Sequence, residues 1–185
     1  MTAVDLKRLA QRLRVPLGFV LAPVFLVFAR PTVASVATGA AIALSGVALR
    51  AWASGHLRKM KELTTSGPYA YTRNPLYLGT FLMVAGGALA GGRWWLGLLF
   101  AAAYLLVYVP VMLAEVDTMR ALFPGHYDRW AEAVPLFLPR LTPAPEAAGD
   151  ARFDSRLYLQ YREYRAALGV LAVFGFLFVK MALEG

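Results

Sequence analysis

The sequence predicts an all-α integral membrane protein with about five transmembrane helices, two of them joined as a hairpin. Three observations carry this expectation. Of 185 residues 59% are hydrophobic and 16% charged, and the mean hydropathy is +0.54, too apolar for a soluble domain of this length. The apolar residues gather into runs of up to 21 residues. The basic residues crowd the segments on one side of those runs.

Residues 15–29 are an apolar run of 15 containing Pro16 and Pro23. It reaches across a bilayer by extending into the preceding segment, with Arg12 and Arg14 snorkelling to the interface. A signal peptide is the alternative, but no small-residue cleavage site follows Phe28 and Arg30-Pro31 is a poor context for one, so the segment is expected to persist as a helix. Residues 32–52 are a 21-residue run, ~32 Å as a helix against ~30 Å of hydrocarbon. Ser35, Gly39 and Ala43 recur in it at four-residue spacing, either a stripe for close helix approach or plain alanine-rich helix.

Residues 76–90 are apolar for 15 positions and reach the next run through Gly91, Gly92 and Arg93, a turn short enough to make an antiparallel hairpin. Residues 94–114 are a second 21-residue run with Pro110 near its end. Residues 115–129 continue that helix to a break at Phe123-Pro124-Gly125, and a short helical piece follows, ending near Val134-Pro135. Residues 142–150, rich in Pro and Ala, read as a linker. Leu157, Tyr161, Tyr164 and Leu168 then form one helical stripe among Arg156, Arg162 and Arg165. This is expected to be one interfacial amphipathic helix feeding a last span over 166–183, which crosses if Lys180 snorkels. The whole of 1–185 reads as a single domain, with a core over 45–141 and a C-terminal amphipathic plus membrane helix over 151–185.

Across five spans, one side carries 15 Lys and Arg and the other carries Arg30, Arg93 and Lys180, with Arg50 inside a helix. The positive-inside rule therefore places the N-terminus, the loop 57–74 and the stretch 115–165 in the cytoplasm, as in a bacterial or archaeal inner membrane. The net charge of +8 is explained by topology; the basic residues form no stripe with stacking aromatics, so no nucleic-acid partner is expected. Cysteine is absent, which removes disulfides, thiolate metal ligands and a cysteine nucleophile, and no metal site is expected.

One cytoplasmic segment is too elaborate for a connector: Gly67-Pro-Tyr-Ala-Tyr-Thr-Arg-Asn-Pro-Leu-Tyr-Leu-Gly79. No G-x-G-x-x-G and no strand–helix alternation occurs, so a nucleoside cofactor would bind to loops and helix ends. A cofactor that carries both a cation and a carboxylate needs aromatic and carboxylate surface for the one and a cation for the other. Tyr69, Tyr71, Tyr77, Glu115 and Arg73 supply those types. Arg73 also fits as a positive-inside residue or headgroup anchor, and Glu115 as an ordinary helix-end carboxylate. Arg50 and Trp52 lie a turn inside the membrane, where Arg50 is expected to pair with Glu115 or Asp117 or to snorkel.

Together with Glu115, Phe123, Tyr127 and Val134-Pro-Leu-Phe-Leu-Pro139, this segment resembles the isoprenylcysteine carboxyl methyltransferase and phospholipid methyltransferase superfamily over about residues 45–141. The resemblance implies an integral membrane methyltransferase using S-adenosylmethionine in a cytoplasmic pocket. It implies catalytic roles for Arg73 and Glu115, and cofactor contacts from His56, Leu63, Gly67, Tyr69, Asn74, Pro75, Tyr77 and Glu115. The acceptor is a lipidic or small molecule reached from among membrane lipids: a prenylcysteine-like carboxylate, a phospholipid amine or a small thiol. The family usually has Arg-His-Pro where this chain has Arg73-Asn74-Pro75, often Glu-Glu where it has Glu115-Val116, and a tyrosine at Trp130. Asparagine replaces the hydrogen bonding of histidine but not its acid–base role. Two other readings stand beside the enzyme: a non-enzymatic membrane assembly or carrier protein retaining the fold, and a reductase of the wider superfamily.

Overall fold

The computed structural model describes residues 3–58, 62–145 and 152–184, with side chains from residue 16 onward. The side chains of Arg12 and Arg14 and residues 146–150 of the expected linker lie outside these. Seven α-helices and no strand occur among the described residues: α1 Ala3–Phe28, α2 Val33–Ser54, α3 Pro75–Ala90, α4 Trp94–Leu122, α5 His126–Ala133, α6 Ser155–Gln160 and α7 Tyr164–Glu184. By length and composition α2, α4 and α7 are each able to cross a membrane, and Pro16–Phe28 and Pro75–Ala90 are shorter apolar helices. With α1 beginning at Ala3, the first span does extend into the preceding segment, through both prolines.

The tightest packing is α2 against α3, closer than the α3–α4 hairpin that the short Gly91-Gly92 turn foretells. Ser35 Oγ donates to Ala90 O at 3.1 Å. Gly39 faces Gly86, and Gly46 faces Gly79 so closely that a Cβ on Gly46 would stand 2.5 Å from Gly79 O. Farther along, Arg50 reaches Leu76 O. These pairs define one antiparallel register along the whole length of α3, and the Ser35, Gly39, Ala43 stripe is its α2 side. Small residues permit this because between helices in lipid the attraction is contact and polar pairing rather than exclusion of water.

At the end of the bundle where α1 meets the α3–α4 turn, Arg30 N–H donates to Gly91 O at 2.8 Å, and Gly92 takes φ 69° with no room for a Cβ against Arg30 O. Phe25, Ala29, Ala90, Leu96 and Leu177 make the core there. Lys180, the residue expected to snorkel, donates to the carbonyls of Leu26 and Val27 at 2.8 and 3.2 Å. A cation thus sits on the last turn of α1, where carbonyls lack helical partners. Arg30 and Glu184 form an ion pair at 3.2 Å beside it. Apart from these polar contacts α7 is thinly attached, with Leu177 its one buried residue.

The break expected at Phe123-Pro124-Gly125 separates α4 from α5, with Gly125 at φ 73°. The single amphipathic helix expected over 157–168 does not form. α6 ends at Gln160 and α7 starts at Tyr164, because Arg162 adopts a left-handed φ of 55° that redirects the chain.

If the α2–α3 contact carries the bundle, Gly86→Ala, whose Cβ would meet Gly39 O at 2.5 Å and Ala43 N at 2.6 Å, lowers stability by roughly 1–3 kcal/mol. Gly97→Ala and Gly175→Ala, with nothing within 4 Å of the added methyl, are neutral or stabilising by up to about 1 kcal/mol. Thermal unfolding in detergent separates the two cases.

Candidate functional site

The end of the bundle where α2 finishes and α3 starts is organised by an extended pairing between the 67–79 segment and the stretch after α5. Ala144 N–H donates to Ala70 O at 3.0 Å, Arg140 N–H to Tyr71 O at 2.9 Å, and Arg73 N–H to Pro135 O at 2.9 Å. Thr72, 1% exposed, donates its hydroxyl to Phe137 O at 2.9 Å and accepts from Asn74 N–H at 3.3 Å. Asn74 Nδ2 donates to Leu136 O at 2.9 Å. Three prolines in 135–143 deny that stretch a helix, so its backbone groups find partners in the first motif. The two motifs are one wall.

Behind the wall lies a core of Ala53, Tyr69, Ala70, Tyr127, Trp130, Val134 and Ala144. Arg73 NH1 donates to Tyr127 OH at 3.0 Å, and its guanidinium lies 5.8 Å from the Tyr127 ring centre. Trp130 meets the same ring edge-on at 5.7 Å. Two buried donors in this group, Arg73 Nε and Trp130 Nε1, have no acceptor among the described residues. Trp130 also lines a cleft of about 560 Å³ with Leu63, Thr65, Phe123, His126 and Arg129.

His56 is 7% exposed. Its Nδ1 is 2.9 Å from Trp52 O; a carbonyl only accepts, so Nδ1 carries a proton and Nε2 is turned the other way. Gly67, at φ 59°, lies on this ring, and a Cβ there would be 2.8 Å from Nε2. The glycine is needed twice over, for the left-handed turn and for the space.

Tyr69 is buried beneath the turn. Burial pushes its hydroxyl well above the ordinary tyrosine range, and the charges of Glu115 and then Glu163 push it further. It is a neutral phenol and no base. Glu115, half-buried on α4, makes no ion pair among the described residues and is near enough to Tyr69 to act on it electrostatically.

Of the residues singled out from sequence, His56, Gly67, Tyr69, Arg73 and Asn74 gather around this wall, with Glu115 acting on Tyr69 and Leu63 lining the cleft. Pro75 is the buried first residue of α3. Tyr77 is set apart: it faces Tyr108 at 5.6 Å in an aromatic cluster between α3 and α4, where Tyr104 OH donates to Tyr77 O at 2.5 Å. Arg50 pairs with neither Glu115 nor Asp117. It holds Glu163, Nε to Oε2 at 3.0 Å and NH2 to Oε1 at 2.9 Å, because the left-handed Arg162 swings that carboxylate inward. Sequence reasoning missed Glu163 and Thr72. The signal for Glu163 was present: it is the one carboxylate between Arg156 and Arg165, and an arginine within an apolar helix needs a partner.

A family profile described as phospholipid methyltransferase matches residues 33–125. The chain is similar to the nickel-cobalt-cadmium resistance protein NccN of Alcaligenes xylosoxydans xylosoxydans, 34% identical over 95 residues, which is 50% of this chain and 44% of that protein. It is 32% identical over 95 residues, with the same coverage, to the cobalt-zinc-cadmium resistance protein CzcN of Cupriavidus metallidurans. The chain thus spans less than half the length of these curated relatives. No solved structure matches it.

Thr72→Val removes the donor to Phe137 O and the acceptor for Asn74 N–H, and is expected to cost about 1–3 kcal/mol; Thr72→Ser keeps both and costs less. The Arg140 amide, held by Tyr71 O, exchanges faster in the valine variant alone, as read by hydrogen exchange.

Proposed function

The chain belongs to the phospholipid methyltransferase family, and we propose on that premise that it moves a methyl group from S-adenosylmethionine to an acceptor carrying a hydrocarbon chain. The observation that carries the donor side is the pair of buried, unpartnered donors, Arg73 Nε and Trp130 Nε1, on the wall where the two motifs meet. An unpaired buried donor costs about 1–3 kcal/mol, and a ligand acceptor recovers it. The donor's amino-acid carboxylate suits Arg73, and its nucleoside suits Trp130, Leu63 and the backbone at Gly67. These residue types fit the molecule.

S-adenosylmethionine supplies an already activated methyl on a sulfonium, so the protein's own part is positioning and exclusion of water. Arg73 is aimed by Tyr127 and by its backbone bond to Pro135. Tyr69, kept neutral, offers an aromatic face without a competing charge. Glu115 takes the proton of an amine or thiol acceptor; a carboxylate acceptor has none to lose.

A cavity of about 470 Å³ among α1, α3, α4 and α7 favours a lipidic acceptor. Leu21, Phe25, Val84, Val107 and Phe174 line it, together with Tyr104 and Tyr108. Positive-inside charge supports a site on the cytoplasmic face. The metal-resistance names of the relatives support a second reading, a membrane assembly or carrier protein on the same fold, with Asn74 spent on structure.

Incubation with methyl-labelled donor and a panel of phospholipid amine, prenylcysteine and thiol acceptors tests the reading; label in one class is expected. Glu115→Gln is expected to lower turnover about 10²–10⁴-fold for an amine or thiol while S-adenosylhomocysteine still binds in calorimetry. No binding of that product by the wild-type protein sinks the donor assignment and favours the carrier.

A further inference from the structure

Glu163 lies beyond the 33–125 stretch that the family profile matches and beyond the two motifs, yet it is tied into the site. Its carboxylate takes two hydrogen bonds from Arg50, and the ion pair closes to 2.8 Å with the side chains 21% and 11% exposed. The same guanidinium donates through NH1 to Leu76 O at 3.2 Å and to Thr80 Oγ1 at 2.6 Å. Those atoms belong to the first turns of α3, which carry Asn74 and Tyr77. Gly79, the last residue of the motif, makes this possible: a Cβ on it would stand 2.6 Å from Arg50 Cγ.

Residues 153–161 come with the carboxylate. The Phe153 ring covers Gly55 and lies 6.2 Å from the His56 ring. Asp154 N–H donates to Gly55 O at 2.9 Å, and Tyr161 OH to Leu57 O at 3.1 Å. This strap covers the end of α2 on the side where His56 supports the Gly67 turn.

A half-buried ion pair is a poor means of adding stability, since desolvation offsets most of its attraction, but it fixes one arrangement. Here the arrangement fixed is that of α3's first turn and of the strap. We propose that Glu163 is a positioning residue of the methyl-transfer site: through Arg50 it sets the start of α3, and it seats the 153–161 strap as the wall of the donor pocket on the α2 side. The inference rests on the donor reading above.

The experiment uses the full chain in detergent or nanodiscs, with Glu163→Gln, Glu163→Asp and Arg50→Lys. S-adenosylhomocysteine affinity is measured by calorimetry, and hydrogen exchange is followed at the Asp154 and Tyr161 amides with and without that product. In the wild type, product is expected to slow exchange in the strap. Glu163→Gln is expected to weaken product binding roughly tenfold and abolish that protection, with Glu163→Asp recovering part of both. A purely structural pair lowers the thermal midpoint but leaves the affinity of the folded protein within twofold of wild type and the product-dependent protection intact, and this result overturns the proposal. Failure of the wild type to bind product overturns the donor reading, and the present inference with it; loss confined to the variants does not.

Discussion

Backbone contact between α2 and α3 is the constraint on which the rest of the molecule depends. Gly39 against Gly86 and Gly46 against Gly79 bring two helices to a separation at which a single methyl group collides with main chain. Such contact fixes rotation and translation together, because a glycine pair meets at only one register. Once that register is set, Arg50 falls opposite the start of α3, and the last turn of α2 overhangs it. His56 and the Gly67 turn occupy the overhang. The site thus inherits its geometry from residues buried within the membrane that never touch it.

The polar end of the bundle solves a different problem. Backbone groups in 135–144 are barred from a helix by their prolines and have too few neighbours to form a sheet. Ala70, Tyr71 and Arg73 accept or donate to them across a single extended seam, and Thr72 and Asn74 add side-chain bonds to it. Every residue of that seam is spent on holding the first motif against the second. Arg73 comes out of it with its NH1 on Tyr127 and its Nε free for something else.

Much of this was legible in the sequence, for reasons that differ by element. The apolar runs located the spans, since hydrophobic length is a local property. The stripe of Ser35, Gly39 and Ala43 left close packing as one of two readings and did not name its partner, because Gly79 and Gly86 are equally consistent with a flexible helix. The two motifs could be paired only through resemblance; nothing in the composition of 135–139 says that its carbonyls meet Thr72 and Asn74. Arg162 was illegible: a left-handed arginine carries no propensity signal, so the stripe from Leu157 to Leu168 read as one helix. That single backbone angle masked the pairing of Arg50 with Glu163 across 113 residues, although the lone carboxylate among the arginines hinted at it.

The replacement of histidine by Asn74 fits this picture of a site built on position. An imidazole in the same place offers acid–base chemistry, but only one ring nitrogen donates in its uncharged form, and its tautomer must be fixed by a second partner. The asparagine amide donates to Leu136 O without any such requirement and at any pH. A transfer in which the leaving group is already activated gains little from a proton donor at that point and much from a rigid wall. On the proposed reading, losing the imidazole removes no step of the reaction. On the same reading the proton chemistry that remains falls on Glu115, the carboxylate that acts most strongly on Tyr69 and that no arginine among the described residues has claimed, while Glu163 is engaged by Arg50 and serves geometry. Two carboxylates that act on the same phenol would thereby be separated in role by a single ion pair.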